Sequence, residues 1–280
     1  MGARRAACGG RWLAAALGLL LPALLRAQPP VPSLSSIPVV QPPSVQAPLP
    51  GAALRVRVQV ADVPGLARLL GEPEPADGPP GASGWLALRL APGEHADAGG
   101  PADGLASSFI VDHDDPAVRQ LAAQLQAGRA RAGTAQPPGP PGGAEVVAFV
   151  ARHMRTRYEA NASLASEVAR SLQGDCTEYA LLTAALARAL GLPARMVQGV
   201  AIVQAEGRWQ AYGHAWAQTL EGGRWTLRDS ALAGFPGPVY YMPFAAMDDE
   251  GPGYRLTLLR AQGRLPQRIE VLGPEAPAPR

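Results

Sequence analysis

The 280-residue sequence contains no lysine: all 25 basic side chains are arginine, a usage that fits a GC-rich coding bias. The chain therefore has no side-chain primary amine of its own. Cysteine is nearly as scarce, with two residues, Cys8 and Cys176. Long apolar runs are missing as well. The most apolar stretch, WLAAALGLLLPALL from Trp12, is too short for an ordinary membrane-spanning helix and holds Pro22. No internal repeat is present. The length suffices for one generous domain or two small ones with an apolar core.

Residues 1–27 combine Arg4, Arg5 and Arg11, the apolar run, and LRA before Gln28. This is the pattern of a secretory signal peptide, with an uncleaved anchor as the alternative. Cys8 precedes the apolar core, unlike the anchor cysteine of a lipoprotein. Losing Arg4, Arg5, Arg11 and Arg26 leaves 21 basic against 23 acidic residues, a formal balance of −2. The apparent basicity belongs to the leader, and a nucleic-acid partner is excluded. The expected location is the periplasm or the cell exterior, with no stable membrane insertion after cleavage. There Cys176 has no partner within the chain. Such a leftover thiol is buried and inert, paired with another molecule, or kept for its chemistry.

Residues 28–50 hold eight prolines and almost no charge, which predicts an extended spacer. LRVRVQV from Leu54 and WLALRL from Trp85 alternate as half-buried strands do. The Gly/Pro-rich loop GEPEPADGPPGAS separates them. This β-rich N-terminal segment, 51–108, is too small to fold alone. SSFIVD, from Ser107, is expected to be a short strand. DDPAVRQLAAQLQAG starts a helix with an Asp cap, Pro116 in its first turn and a Gly at its end. AEVVAFVARHMRTRYEA and SLASEVARSLQG have helical spacing, and Asp175 caps CTEYALLTAALARAL before Gly191 and Pro193. The periodicity then changes to strands: ARMVQGVAIV, WQAYGHAWAQTL and RWTLRDSAL, joined by QAEG and EGG turns. Helices followed by an antiparallel sheet make an α+β domain over 109–272, with a flexible tail at 273–280.

At the first turn of its helix, Cys176 faces unpaired backbone N–H groups and the positive end of the helix dipole. This favours a thiolate, while Asp175 and Glu178 oppose it. His214 is the candidate base. A turn at Glu221-Gly222 places His214 opposite Asp229, and a turn at Gly222-Gly223 makes Asp229 a diagonal neighbour on the same face. A register midway between these two sends them to opposite faces. Taken singly, each residue has a plainer explanation: a packed core cysteine, or a strand His or Asp satisfying local hydrogen bonds.

The segments GDCTEYALLTAALARALGLPARMVQGVAI, GHAW and WTLRDS, in that order, resemble the core of the transglutaminase-like superfamily, especially its exported bacterial members. The resemblance spans roughly 109–243 and implies a papain/transglutaminase-like fold with Cys176 as nucleophile, His214 as base and Asp229 as the acid that orients it. The continuation Asp229-Ser230-Ala231 departs from the Asp-Pro-Thr common in the family, and Tyr179 stands where relatives often carry His. The implied activity is that of a thiol enzyme on an amide or peptide bond: a peptidase, a deamidase or a transglutaminase. Its partner is a protein or peptide substrate, and neither a cofactor nor a metal is implied. A non-catalytic binding or assembly module on the same fold is the alternative. The Cys176 N–H and the Asn161 side chain are candidate oxyanion donors.

Other polar clusters carry structural expectations. Asp112 to Pro116 reads as a strand end and helix cap in preference to a metal site, and His153 as a packed core histidine. Asp248, Asp249 and Glu250 read as a solvated loop. Trp209, Trp216 and Trp225 are sheet-core residues or the lining of a cleft.

Overall fold

The computed structural model describes residues 36–41, 51–72, 84–93, 104–131, 141–159, 162–247, 250–252, 256, 259 and 261–275. The expected signal peptide, most of the expected spacer, Asn161, Asp248 and Asp249 lie outside the described residues. Two short strands, β1 (Ser36–Ile37) and β2 (Val39–Val40), flank Pro38. The spacer is thus tied down here: β1 pairs with one sheet and β2 with another, because Ser-Ile-Pro-Val-Val places apolar, β-branched residues on both sides of the proline.

Strand β3 (Ala53–Val60) buries Leu54, Val56, Val58 and Val60 and exposes Arg55 and Arg57, as its alternation predicts. It is followed by a helix the sequence analysis did not anticipate, α1 (Val63–Leu70). Its signals are present: the Asp62 carboxylate accepts the Gly65 N–H, Pro64 opens the first turn, and Gly71 closes the helix in the left-handed region at φ 67°. Strand β4 (Gly84–Leu90) pairs antiparallel with β3.

The expected strand at 107–112 does not form. Its backbone groups are taken one at a time: Ser108 Oγ accepts the Val111 N–H, the Ile110 N–H goes to Glu250 O, and Ile110 O accepts from Ala165. Serine side chains that bond the local backbone compete with a ladder. Helix α2 (Pro116–Arg131) runs through Gly128, beyond its expected end, and Arg129 pairs with Glu145 of α3 (Gly143–His153). Helix α3 is shorter than expected, because Met154 is extended and leads into β5 (Arg155–Thr156). Helix α4 (Ala165–Ser171) ends on Leu172 in the left-handed region. Then β6 (Gln173–Gly174) pairs parallel with β5 and delivers the chain to α5 (Cys176–Ala189), which is buried on nearly every side.

The remaining strands are β7 (Ala194–Ala205), β8 (Arg208–Glu221), β9 (Arg224–Arg228), β10 (Val239–Ala246) and β11 (Arg268–Glu275). The main sheet has the order β1-β8-β7-β10, with β9 also on β8. One edge of β8 is covered by β7, and the other is divided between β1, at Ala211 and Tyr212, and β9, from Ala217 to Glu221. His214 lies in the gap between those two stretches.

The second sheet has the order β2-β11-β3-β4. Residues 273–275, expected in a tail, belong to β11, which lies between β2 and β3. The long β7–β8 hairpin serves both cores. Near one end Met196, Ala215 and Ala217 join the helical core with α5, and near the other Val200, Ile202 and Trp209 pack with Leu54, Val56 and Leu66 of the second sheet and α1. Helices with antiparallel sheets make the fold α+β. Among the described residues no helix is long and apolar enough to cross a membrane.

Gly199, opposite His214 on β7, is the tightest point of the hairpin: a Cβ there would lie 2.1 Å from Trp216 Cη2 and 2.5 Å from the Met242 carbonyl oxygen. Overpacking of this kind is expected to make Gly199→Ala less stable by about 1–3 kcal/mol, measured by urea denaturation.

Candidate active site

The stretch Gly174-Asp175-Cys176-Thr177-Glu178 is a helix start built around one side chain. Asp175 Oδ1 accepts the Thr177 N–H at 2.8 Å, and Glu178 Oε2 accepts the Asp175 N–H at 2.9 Å. This reciprocal capping box leaves Cys176 at the first helical position. Gly174 is obligatory, since a Cβ there would lie 2.2 Å from Glu178 Cβ. Burial raises the Glu178 carboxyl to about 7, helped by the Asp175 charge and opposed by the Asp175 amide. Glu178, at first only a charged neighbour of the thiol, is therefore one half of the cap. Cys176 itself is 0% exposed.

The β8–β9 turn is Gly222-Gly223, with both residues at positive φ (60° and 77°), and Glu221 pairs with Arg224. This is the second of the three registers considered above. It makes Asp229, one residue past β9, a diagonal neighbour of His214. The imidazole donates from Nε2 to Asp229 Oδ2 at 2.8 Å, and both side chains are buried. Asp229 Oδ1 accepts the N–H groups of Ala231 (2.9 Å) and Leu232 (3.2 Å). The second ring nitrogen, Nδ1, is buried with no hydrogen-bond partner among the described residues. Cys176 acts on the same ring, raising its pKa. With Nε2 committed to Asp229, Nδ1 is the nitrogen left for the thiol.

The electrostatics follow from burial. Burial alone lowers the His214 pKa, but the Asp229 carboxylate, by charge and hydrogen bond, and Cys176 outweigh it and raise the value to about 10. Burial opposes the Asp229 charge, yet His214, Tyr241 and the Leu232 amide hold its pKa below the ordinary value. Cysteine at a helix start, histidine on a strand and aspartate just beyond the next strand thus form one contiguous cluster.

Residues 129–230 match the family model of the transglutaminase-like superfamily. Parts of the chain are also similar to three solved structures. One is a Cytophaga hutchinsonii protein named as a candidate cysteine protease, 19% identical over 60% of this chain and 50% of that one, with a TM-score of 0.38. Another is the periplasmic domain of TgpA from Pseudomonas aeruginosa bound to ethylmercury, 24% identical over 41% and 43%, with a TM-score of 0.28. A third, described as a TGase, is 23% identical over 42% and 32%, with a TM-score of 0.30. The chain spans half or less of the length of each. Comparison with curated proteins found no match.

Around this cluster, two supports escaped sequence analysis. Tyr241 on β10 donates its hydroxyl to Asp229 Oδ2 at 2.8 Å, the oxygen that also holds His214. A buried tyrosine in VYYMPF needs a partner, but no local pattern names Asp229 as that partner. Ser230 Oγ lies 2.8 Å from Thr183 Oγ1, whose hydroxyl donates to Tyr179 O, fastening the residue after Asp229 to α5. This gives the Ser230 departure from the family pattern a local role. Tyr179 is itself buried.

Trp216 is buried with its ring 6.1 Å from that of His214, Trp209 is buried between the sheets, and Trp225 lies under the Arg195 guanidinium at 4.2 Å. Asp115 accepts the Ala117 N–H at the start of α2, and Asp112 accepts the Ser166 N–H in α4. His153 is corrected: it is exposed, stacked on Phe149 at 4.0 Å, with Nδ1 2.8 Å from the Phe149 carbonyl oxygen, because α3 ends there. Glu250 is also corrected, since it is half-buried in a two-oxygen ion pair with the buried Arg188, at 2.6 and 2.7 Å.

Tyr241→Phe removes one hydrogen bond from a buried carboxylate and is expected to destabilise the fold by about 1.5–3 kcal/mol in urea denaturation. The folded His214 ring keeps its proton to about pH 10, while the free ring releases it near 6.5. The stabilisation is therefore complete below pH 6.5 and is lost as pH rises towards 10. Melting temperatures across this window are expected to fall more steeply in wild type than in His214→Gln.

Proposed function

We propose that this chain is an exported thiol enzyme acting on amide or peptide bonds of a protein or peptide substrate through an acyl-enzyme. The reading rests on one observation: a buried aspartate occupies Nε2 of His214, leaving Nδ1 for the one cysteine among the described residues, at a helix start. Cys176 is the nucleophile, His214 its base and Asp229 the acid that orients the ring. With the proton shared by the Cys176–His214 pair held on the imidazole, Sγ attacks the carbonyl carbon as the thiolate. The imidazolium, supported by Asp229, returns the proton to the departing amine. Water then releases the acyl group. Hydrolysis is preferred because water is abundant in the expected compartment, which makes the enzyme a peptidase or deamidase. A lysine-free chain also cannot cross-link itself through its own lysines. Export rests on the leader pattern of residues 1–27.

The complete burial of Cys176 favours a second reading, a binding or assembly module that reuses the fold. Iodoacetamide alkylation at neutral pH, followed by mass spectrometry, separates the two. Alkylation of Cys176 is expected to be faster than that of free cysteine, and slowed in His214→Ala. Reaction no faster than the free thiol, and insensitive to His214, would transfer the assignment to the binding module. With a protein extract as substrate, new termini, Gln-to-Glu conversion and amine incorporation then separate the three reaction types.

A further inference from the structure

Helices α2 and α3 both pack on α5, through Leu121 and Leu125 of one and Val146 and Phe149 of the other, and leave a groove of about 600 Å³ between them. That is the size of a ligand site. The groove is open at Gly128, where a Cβ would meet nothing within 4 Å. Across it the Arg129–Glu145 pair, at 3.5 Å, ties the last turn of α2 to the first turn of α3. This pairing occupies Glu145, the one carboxylate among the described lining residues.

The charge that remains is positive. Arg131 and Arg152 line the groove, are exposed, and pair with no carboxylate among the described residues. Helix dipoles account for arginines in these two last turns. They do not account for Arg155 and Arg157, exposed on and just after β5, which continues from α3. Arg157 is held on uncharged groups: its side chain donates to Gln173 Oε1 at 3.0 Å and its N–H to Gly174 O at 2.9 Å. The positive strip thus reaches Gly174, two residues before Cys176. Residues 129–131 and 143–157 hold five arginines and one acid, although the chain without its leader is acidic on balance.

We propose that this groove docks an acidic segment of a peptide or protein and, resting on the enzyme reading, that the segment belongs to the substrate, which β5 then leads towards Cys176. Guanidinium groups bind carboxylates through two parallel hydrogen bonds, so Arg131 and Arg152 select acidic side chains by geometry as well as by charge. A cleft between two helices admits a chain, whereas a flat anionic membrane meets only a protruding patch. Docking outside the thiol site lets the acidic segment set which substrate is held without touching the reacting atoms.

The test measures binding of fluorescein-labelled hexaglutamate to the whole chain by fluorescence anisotropy. The wild type is expected to bind at low salt and to weaken as salt is raised. Arg131→Gln/Arg152→Gln is expected to bind about 10-fold more weakly. Gly128→Glu, which plants a carboxylate in the open groove without a clash, is expected to weaken binding as well. Arg55→Gln/Arg208→Gln removes the same charge from exposed positions on β3 and at the start of β8, and is expected to bind as the wild type does. Equal losses in the two double variants overturn the assignment, because net charge and not the groove would then attract the peptide. Failure of the wild type to bind overturns it too, as does capture of phosphatidylglycerol vesicles in place of the peptide. All substituted side chains are exposed, and unaltered melting temperatures check that the fold is kept. Peptide binding by a wild type whose Cys176 is alkylated no faster than free cysteine overturns the enzyme reading and leaves the groove as the docking site of a binding module.

Discussion

The buried carboxylate of Asp229 is the interaction on which the rest of the site depends. It accepts from His214, from the Tyr241 hydroxyl, and from the amides of Ala231 and Leu232. These donors come from β8, from β10 and from the loop after β9, so a single charge draws three parts of the chain together. A carboxylate so deeply buried would be costly without such partners. Its hydrogen bonds do two things at once: they keep Asp229 ionised and fix which nitrogen of His214 faces the thiol.

The positions of Gly174 and Gly199 have the same logic of close approach. Gly174 lets the Glu178 side chain fold back under the start of α5, and Gly199 lets Trp216 lie across β7 beside His214. The thiol and the imidazole are each held from beneath by a contact that a methyl group would block. The capping box then aims the first turn of α5, and Thr183, through Ser230, ties the same helix to the residue after Asp229.

Much of this was legible from sequence because it is local. The cap at Asp175 follows from residue types, and the relation of His214 to Asp229 follows from a two-residue turn between alternating strands. What escaped depended on distant partners. Tyr241 finds Asp229 through pairing of β10 with β7, which no local pattern encodes. Glu250 looks like a solvated acid until the fold brings Arg188 to it. Ser107 to Asp112 has strand-like residues, but its amides and carbonyls are claimed separately by Ser108, Glu250 and Ala165. Helix α1 was a different kind of omission, since its Asp62 cap, Pro64 and Gly71 are all local signals that the neighbouring strand alternation overshadowed.

The placement of β11 bears on the order in which the molecule assembles. It occupies an interior position of the second sheet, between β2 and β3, although it is the last of the described strands to be synthesised. Until residues 268–275 are available, β3 has only β4 beside it, and its inner edge stays unpaired. The helical core, with Cys176 in it, draws its strands from residues 194–217 and does not wait for that event. The chain can therefore build its thiol-bearing half during synthesis, while the sheet behind it closes as a late, long-range step.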